Sequence, residues 1–143
     1  MKSIHKILID SDVILDFFFD RKPFSAYATD ILSLCEENRL KGFTTPVIIS
    51  NVYYLLRKTA KHKLVVERIK QLLGIIDVIK MDKNAVLYAL NSEFKDFEDA
   101  LQNFSAVEYG QIKIILTRNI KDFKKSELGI FTPETYLKGN AIL

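Results

Sequence analysis

The sequence predicts an α/β domain, a three-layer sandwich with helices on both faces of a mostly parallel central sheet. Three observations carry that expectation. Short, β-branched apolar runs alternate along the chain with segments whose apolar residues recur at helical spacing. The runs are apolar without the in-out alternation of a half-exposed sheet, as expected of strands buried on both faces. Glycine and proline stand at the joins, at Pro23, Gly42, Pro46, Gly74, Gly110 and Pro133.

The elements follow in order. Lys6-Ile7-Leu8-Ile9 reads as a buried strand that runs into the acidic cluster Asp10-Ser11-Asp12 and delivers Asp10 to the carboxyl edge of the sheet. Val13 to Phe19 is a dense apolar run expected to bury against that sheet, and Arg21-Lys22-Pro23 breaks it. From Ser25, the expected N-cap, to Leu40, apolar residues at Ala28, Ile31, Leu32, Leu34 and Cys35 mark a helix that Gly42 ends. A short strand over Phe43 to Thr45 precedes a helix with Thr45 as cap and Pro46 at its first position. Lys63 to Leu73 is the next helix, Ile75 to Ile79 the next strand, and Asp82 caps a helix through Leu90. Phe97 to Tyr109 is helical and stops at Gly110. Ile112 to Leu116 is a strand, and an extended piece at Gly129 to Thr132 leads into a helical turn after Pro133.

Composition bounds the function. With 143 residues, 48% hydrophobic and 27% charged, the chain is expected to be one domain, 1–143, with a full core. No apolar run reaches the roughly 18 residues of a membrane span, and the N-terminus reads as a strand where a secretory leader would be apolar. A soluble, cytoplasmic protein is the expectation. The single cysteine, Cys35, falls in an apolar helical pattern and is read as packing. The net charge of +3 permits nucleic-acid contact without requiring it. Basic residues gather at Arg57 to Lys63 and at Arg118 to Lys125; these are either patches for a polyanion or ordinary solvated helix ends. His5 and His62 stand too far from other ligand types to suggest zinc.

Three segments carry oxygen-bearing side chains to plausible strand or helix ends. Ligands of open α/β sheets gather at the carboxyl edge, so Asp10 is a candidate for chemistry, although Asp is also a common helix cap. On the helix after Asp96, Phe97, Ala100, Leu101 and Phe104 form an apolar face, Asp96, Asp99 and Asn103 share a polar one, and Glu98 projects elsewhere. Thr117, Asn119 and Asp122 follow a strand and would meet Asp10 if that strand were its parallel neighbour. Carboxylate and amide oxygens from separate segments suit a hard divalent cation such as Mg²⁺.

These pieces resemble a PIN domain. The resemblance rests on Asp10-Ser11-Asp12-Val13-Ile14-Leu15-Asp16, on Asp96-Phe97-Glu98-Asp99-Ala100-Leu101, on Thr117-Arg118-Asn119-Ile120-Lys121-Asp122-Phe123, and on Thr132-Pro133-Glu134. It is strongest toward VapC-type toxins of prokaryotic toxin–antitoxin pairs. The resemblance implies a PIN-like fold and a Mg²⁺- or Mn²⁺-dependent ribonuclease acting on RNA, with an antitoxin as a possible partner and a homodimer as the assembly. It implies Asp10, Asp99 and Asp122, with Asn119, as metal ligands, and Asp96 as a further acid. Ser11, Asn51 and Thr117 support them, and Arg118, Lys121 and Arg57 contact RNA. By the same reading Asp12 caps the apolar run after it. One departure stands out: the family's usual glutamate in the helix after Pro46 corresponds here to Asn51, whose amide can ligate but carries no charge.

Other readings remain. A PIN-like fold with a weakened pocket would serve as an RNA- or protein-binding module. A haloacid-dehalogenase-type phosphatase would use Asp10 as nucleophile and Asp12 as acid/base, but Ile14 and helical late acids fit it poorly. A receiver domain would need an acceptor aspartate after its middle strand, and Ile79 leads only to Lys80, Met81 and Asp82. Tyr53 and Tyr54 are read as packing rather than base stacking, and Phe17 to Phe19 as core or as a groove for an antitoxin helix.

Overall fold

The structure, a computed structural model, describes residues 4–139. Among them, five strands form one all-parallel sheet in the order β3-β2-β1-β4-β5. The strands are β1 (Lys6–Ile9), β2 (Lys41–Thr44), β3 (Asp77–Val78), β4 (Ile114–Leu116) and β5 (Gly129–Phe131). The helices are α1 (Ser11–Phe18), α2 (Phe24–Glu36), α3 (Pro46–Arg57), α4 (His62–Leu73), α5 (Lys83–Leu90), α6 (Phe97–Tyr109) and α7 (Pro133–Gly139), with a 3₁₀ turn at Ile120–Phe123. The predicted α/β sandwich is the observed architecture.

Burial explains the layout. Ile7, Leu8, Ile9, Ile115 and Leu116 are fully buried, so the central strands are covered on both faces and join one core with α1 to α4 and α7. A smaller cluster of Ala89, Ala100 and Leu101 holds α5 against α6. Small residues there let the two helices approach closely.

Several local expectations are corrected. Ser25 does not cap α2: Pro23 takes the N-cap position with no side-chain acceptor, and Ser25 is buried in the first turn. Gly42 does not end the α2 segment but lies inside β2. A Cβ there would stand 2.8 Å from Ile76 Cγ2 and 2.9 Å from Cys35 Sγ, so the strand is admitted to its place only because residue 42 has no side chain. The strand expected over Ile75 to Ile79 contracts to Asp77–Val78, because Ile76 and Ile79 turn into the core on either side of a two-residue edge pairing. Asp12 does not cap the run after β1; Asp10 does, in extended conformation, with its side chain accepting from the Ser11 N–H.

The remaining defaults hold in part. Cys35 is buried, and burial pushes its thiol up to about 12, so it is inert packing. Phe18 and Phe19 are half-buried against the core while Phe17 is exposed. No helix among the described residues is long and apolar enough to cross a membrane.

Candidate active site

The sheet places the site. From β1 the strand order runs outward through β2 on one side and through β4 and β5 on the other, so the order reverses between β1 and β4. Crevices at such reversals, outside the strands' carboxyl ends, are where open α/β sheets bind ligands. Ile9 pairs with Leu116, and the next residues out, Asp10 and Thr117, emerge side by side. The Asp10 N–H donates to the Leu116 carbonyl at 3.0 Å and the Thr117 N–H to the Phe131 carbonyl at 2.9 Å, extending the ladders by one residue each.

Both oxygens of Asp10 are held. Oδ1 accepts from the Ser11 N–H at 2.8 Å and Oδ2 from the Thr117 hydroxyl at 2.9 Å. Thr117 is fully buried and accepts in turn from the Asn119 N–H at 3.0 Å; its one proton faces Asp10 Oδ2 at 2.9 Å and, at a longer 3.4 Å, Asp12 Oδ2. Asp12 sits beside this pair: its Oδ2 accepts from the Arg118 N–H at 2.9 Å, which ties α1 to the loop after β4. Its Oδ1 is buried without a hydrogen-bond partner.

The late helix adds carboxylates of its own. Asp96 caps α6, its Oδ1 accepting from the Asp99 N–H at 2.9 Å. Asp99, in the first turn, is pushed up to about 7 by burial first, then by repulsion from Asp10, Asp96, Asp122 and Asp12. Asp10 is pushed up to about 6, again by burial first and then by Asp12; the Ser11 and Thr117 hydrogen bonds pull it back, and Asp96 adds repulsion. Burial also raises Asp12, against the pull of Arg118. Residues of α1, α6 and the 3₁₀ turn thus share one negative field, with Asp96, Asn119 and Asp122 at its exposed rim.

Among the described residues, no three acidic, histidine or cysteine side chains already stand close enough to enclose an ion. The donor set nevertheless suits a hard dication. Its ligand atoms are oxygens, one carboxylate oxygen of Asp12 is buried and orphaned, and the charges acting on Asp99 are all acidic. A divalent ion that keeps several waters would relieve this repulsion without a complete protein cage.

The basic residues are placed differently from one another. Arg118 does not reach outward: its Nε and a terminal nitrogen donate to Asp16 at 2.7 and 2.9 Å, and its guanidinium lies 4.0 Å over the Phe24 ring. Buried Asp16 claims that charge, so Arg118, expected to contact RNA, stands in an internal ion pair with α1. Lys121 is exposed on the 3₁₀ turn, and Arg57, also exposed, donates to the Ala60 carbonyl at 2.8 Å.

Asn51, half-buried on α3, donates from its amide to Glu98 Oε2 at 3.3 Å. Glu98 is the residue that helical projection alone set aside. The available signal was its spacing from Gln102 one turn later, which accepts from the Thr45 hydroxyl at 2.6 Å and so shows which side of α6 faces α3. Away from the acids, Phe17, Phe18, Phe19, Leu56 and Leu64 line an apolar groove of about 500 Å³ between α1, α3 and α4.

Comparison with known proteins agrees with this geometry. A family model described as PIN domain matches residues 6–121, and the chain belongs to the PIN domain family. It is 31% identical over 136 residues to Ribonuclease VapC1 of Aquifex aeolicus (strain VF5), an alignment that covers 92% of each chain. Among solved structures it resembles VapBC2 from Rickettsia felis bound to a promoter DNA fragment, with a TM-score of 0.67 at 15% identity, covering 88% of this chain and 96% of that one. It also resembles a toxin–antitoxin complex from Klebsiella pneumoniae, with a TM-score of 0.66 at 20% identity, covering 89% and 97%. The phosphatase reading falls with this placement, since Asp12 is bound to the Arg118 backbone and the late acids belong to a helix.

Proposed function

We propose that this protein is a divalent-metal-dependent endoribonuclease, the toxin of a toxin–antitoxin pair. The observation that carries the reading is the shared field of Asp10, held at the β1–β4 edge by the Ser11 N–H and the Thr117 hydroxyl, and Asp99 in the first turn of α6, each raised by burial and by like charge. Asp10, Asp99 and Asp122, with the Asn119 amide, would hold Mg²⁺ or Mn²⁺, which when bound supplies charge neutralisation at the scissile phosphate and an acidified water. Thr117 and the Ser11 backbone fix Asp10 for that task. Asp99, which burial and like charge raise in the metal-free protein, would serve there as a ligand, and Asp96 keeps Asp99's turn in place. Lys121, exposed on the turn that carries Asp122, would meet an RNA phosphate, and Arg57 lies on the basic segment at the end of α3.

The likeness to Ribonuclease VapC1 supports RNA as substrate, and the structural neighbours support an antitoxin. The groove edged by exposed Phe17 and Leu64 suits an amphipathic antitoxin helix. Exposed apolar side chains at Tyr54, Leu87, Tyr88 and Leu90 support a homodimer, and the reading places the protein in the cytoplasm. The binding-module reading rests on Asn51 alone. One assay separates the two: with Mn²⁺, the purified protein is expected to cut single-stranded RNA, while Asp10→Asn and Asp99→Asn fold normally and do not. An intact substrate across a full metal titration sinks the nuclease reading.

A further inference from the structure

The cap expected of Asp12 is made by Asp10, which leaves Asp12 in the first turn of α1 without that task. The fold nevertheless brings it to the pocket acids. The Thr117 hydroxyl has one proton and two carboxylates in reach, Asp10 Oδ2 at 2.9 Å and Asp12 Oδ2 at 3.4 Å. Asp12 is also among the charges that act on both Asp10 and Asp99. We infer that Asp12 binds the divalent ion of this pocket, directly or through one of its waters, with Oδ1, the oxygen that the chain leaves unpartnered. The inference rests on the nuclease reading above.

The two oxygens of Asp12 have different surroundings. Oδ2 accepts from the Arg118 N–H at 2.9 Å, which orients the carboxylate and ties α1 to the loop after β4. Oδ1 is buried and makes no hydrogen bond, although the Val13 N–H favours the charged form of the carboxylate. The tie needs one acceptor, which an asparagine amide would offer without burying a charge. A first-turn acid also suits the dipole of α1, but that benefit does not call for a buried oxygen. Buried charges are paired or coordinate metals, and the nearby cation is committed elsewhere: the Arg118 guanidinium donates to Asp16 at 2.7 and 2.9 Å. Oδ2 therefore serves the scaffold, and Oδ1 is the atom left for a ligand.

The test measures Mn²⁺ uptake by electron paramagnetic resonance, together with the melting temperature in EDTA. Asp12→Asn keeps an acceptor for the Arg118 N–H and removes the second oxygen and the charge. It is expected to melt within about 3 °C of wild type in EDTA and to bind Mn²⁺ about tenfold more weakly. Asp96→Asn removes an exposed charge that also acts on Asp10 and Asp99 while asparagine keeps the cap of α6, and its Mn²⁺ affinity is expected to stay within about threefold of wild type. Wild-type Mn²⁺ affinity in Asp12→Asn, with binding lost in Asp99→Asn, overturns the role of Asp12 and leaves the nuclease reading standing. Equal losses in Asp12→Asn and Asp96→Asn also overturn it, because they mark a distant charge and not a ligand. A larger fall of the Asp12→Asn melting temperature in EDTA overturns it as well, by marking a scaffold residue. A wild-type protein that takes up no Mn²⁺ overturns the nuclease reading and this inference together.

Discussion

Replacing Arg118 with methionine distinguishes an internal clamp from an RNA contact. The Asp16 side chain is only 2% exposed and both its oxygens are engaged by Arg118, at 2.7 and 2.9 Å. Arg21 reaches one of them at 3.5 Å and is itself 41% exposed. Removing one partner of a buried ion pair costs about 3–5 kcal/mol, because the other charge is left without compensation. Methionine keeps much of the packing over Phe24, and Arg21 can move closer, so the lower end applies, about 3 kcal/mol. For a chain of this length that lowers the melting temperature by roughly 6–12 °C. The double variant Asp16→Leu with Arg118→Met removes both charges and is expected to regain most of the loss, since apolar replacement of a buried pair is often neutral. Thermal and urea unfolding of the three variants measure this directly. If Arg118 instead bound RNA phosphate, Arg118→Met would melt within about 1 °C of wild type and reduce the salt dependence of RNA binding by about one counterion. That outcome would refute the clamp.

The remaining predictions concern protonation and packing. Asp99 is raised from 3.8 to about 7 and Asp10 from 3.8 to about 6, so the folded metal-free protein holds these protons more tightly than the unfolded chain does. Its stability therefore falls as pH rises from the unfolded values through the folded ones. The melting-temperature gap between Asp99→Asn and wild type in EDTA should widen in favour of the variant from about pH 4 to about pH 7. Over the same window Mn²⁺ should raise the wild-type melting temperature progressively more, because the ion displaces protons; a pH-independent gap would contradict the assigned field. Gly42→Ala places a Cβ 2.8 Å from Ile76 Cγ2 and 2.9 Å from Cys35 Sγ, and should cost about 1–3 kcal/mol in urea unfolding through overpacking. Wild-type stability would mean that β2 shifts freely.

Much of the site was legible before the fold. Asp10 followed a run of apolar residues, two of the three β-branched, Asp99 lay on the polar stripe of an amphipathic helix, and Thr117 followed a second apolar strand; each is a local pattern that strand and helix periodicity expose. Asp10 was open between cap and chemical group, and the structure shows the cap, made to α1 through one oxygen, while the other oxygen accepts from Thr117. The roles of Asp12 and Arg118 were not legible, since each depends on a partner distant in sequence. Asp12 reaches the Arg118 backbone, and the Arg118 side chain reaches Asp16.

By itself the sequence determined the alternation of elements, the apolar faces that bury them, and the residue types offered at the sheet's edge, because these follow from nearest neighbours along the chain. Only the tertiary structure decided which strands adjoin and therefore which side chains meet. Placing β4 beside β1 set Thr117 against Asp10, and bringing the first turns of α6 near the start of α3 set Gln102 against Thr45 and Glu98 against Asn51. The physical reason is range. Periodicity encodes which face of an element is buried, while the partner across that face, and the charge that it brings, is chosen by how the whole core closes.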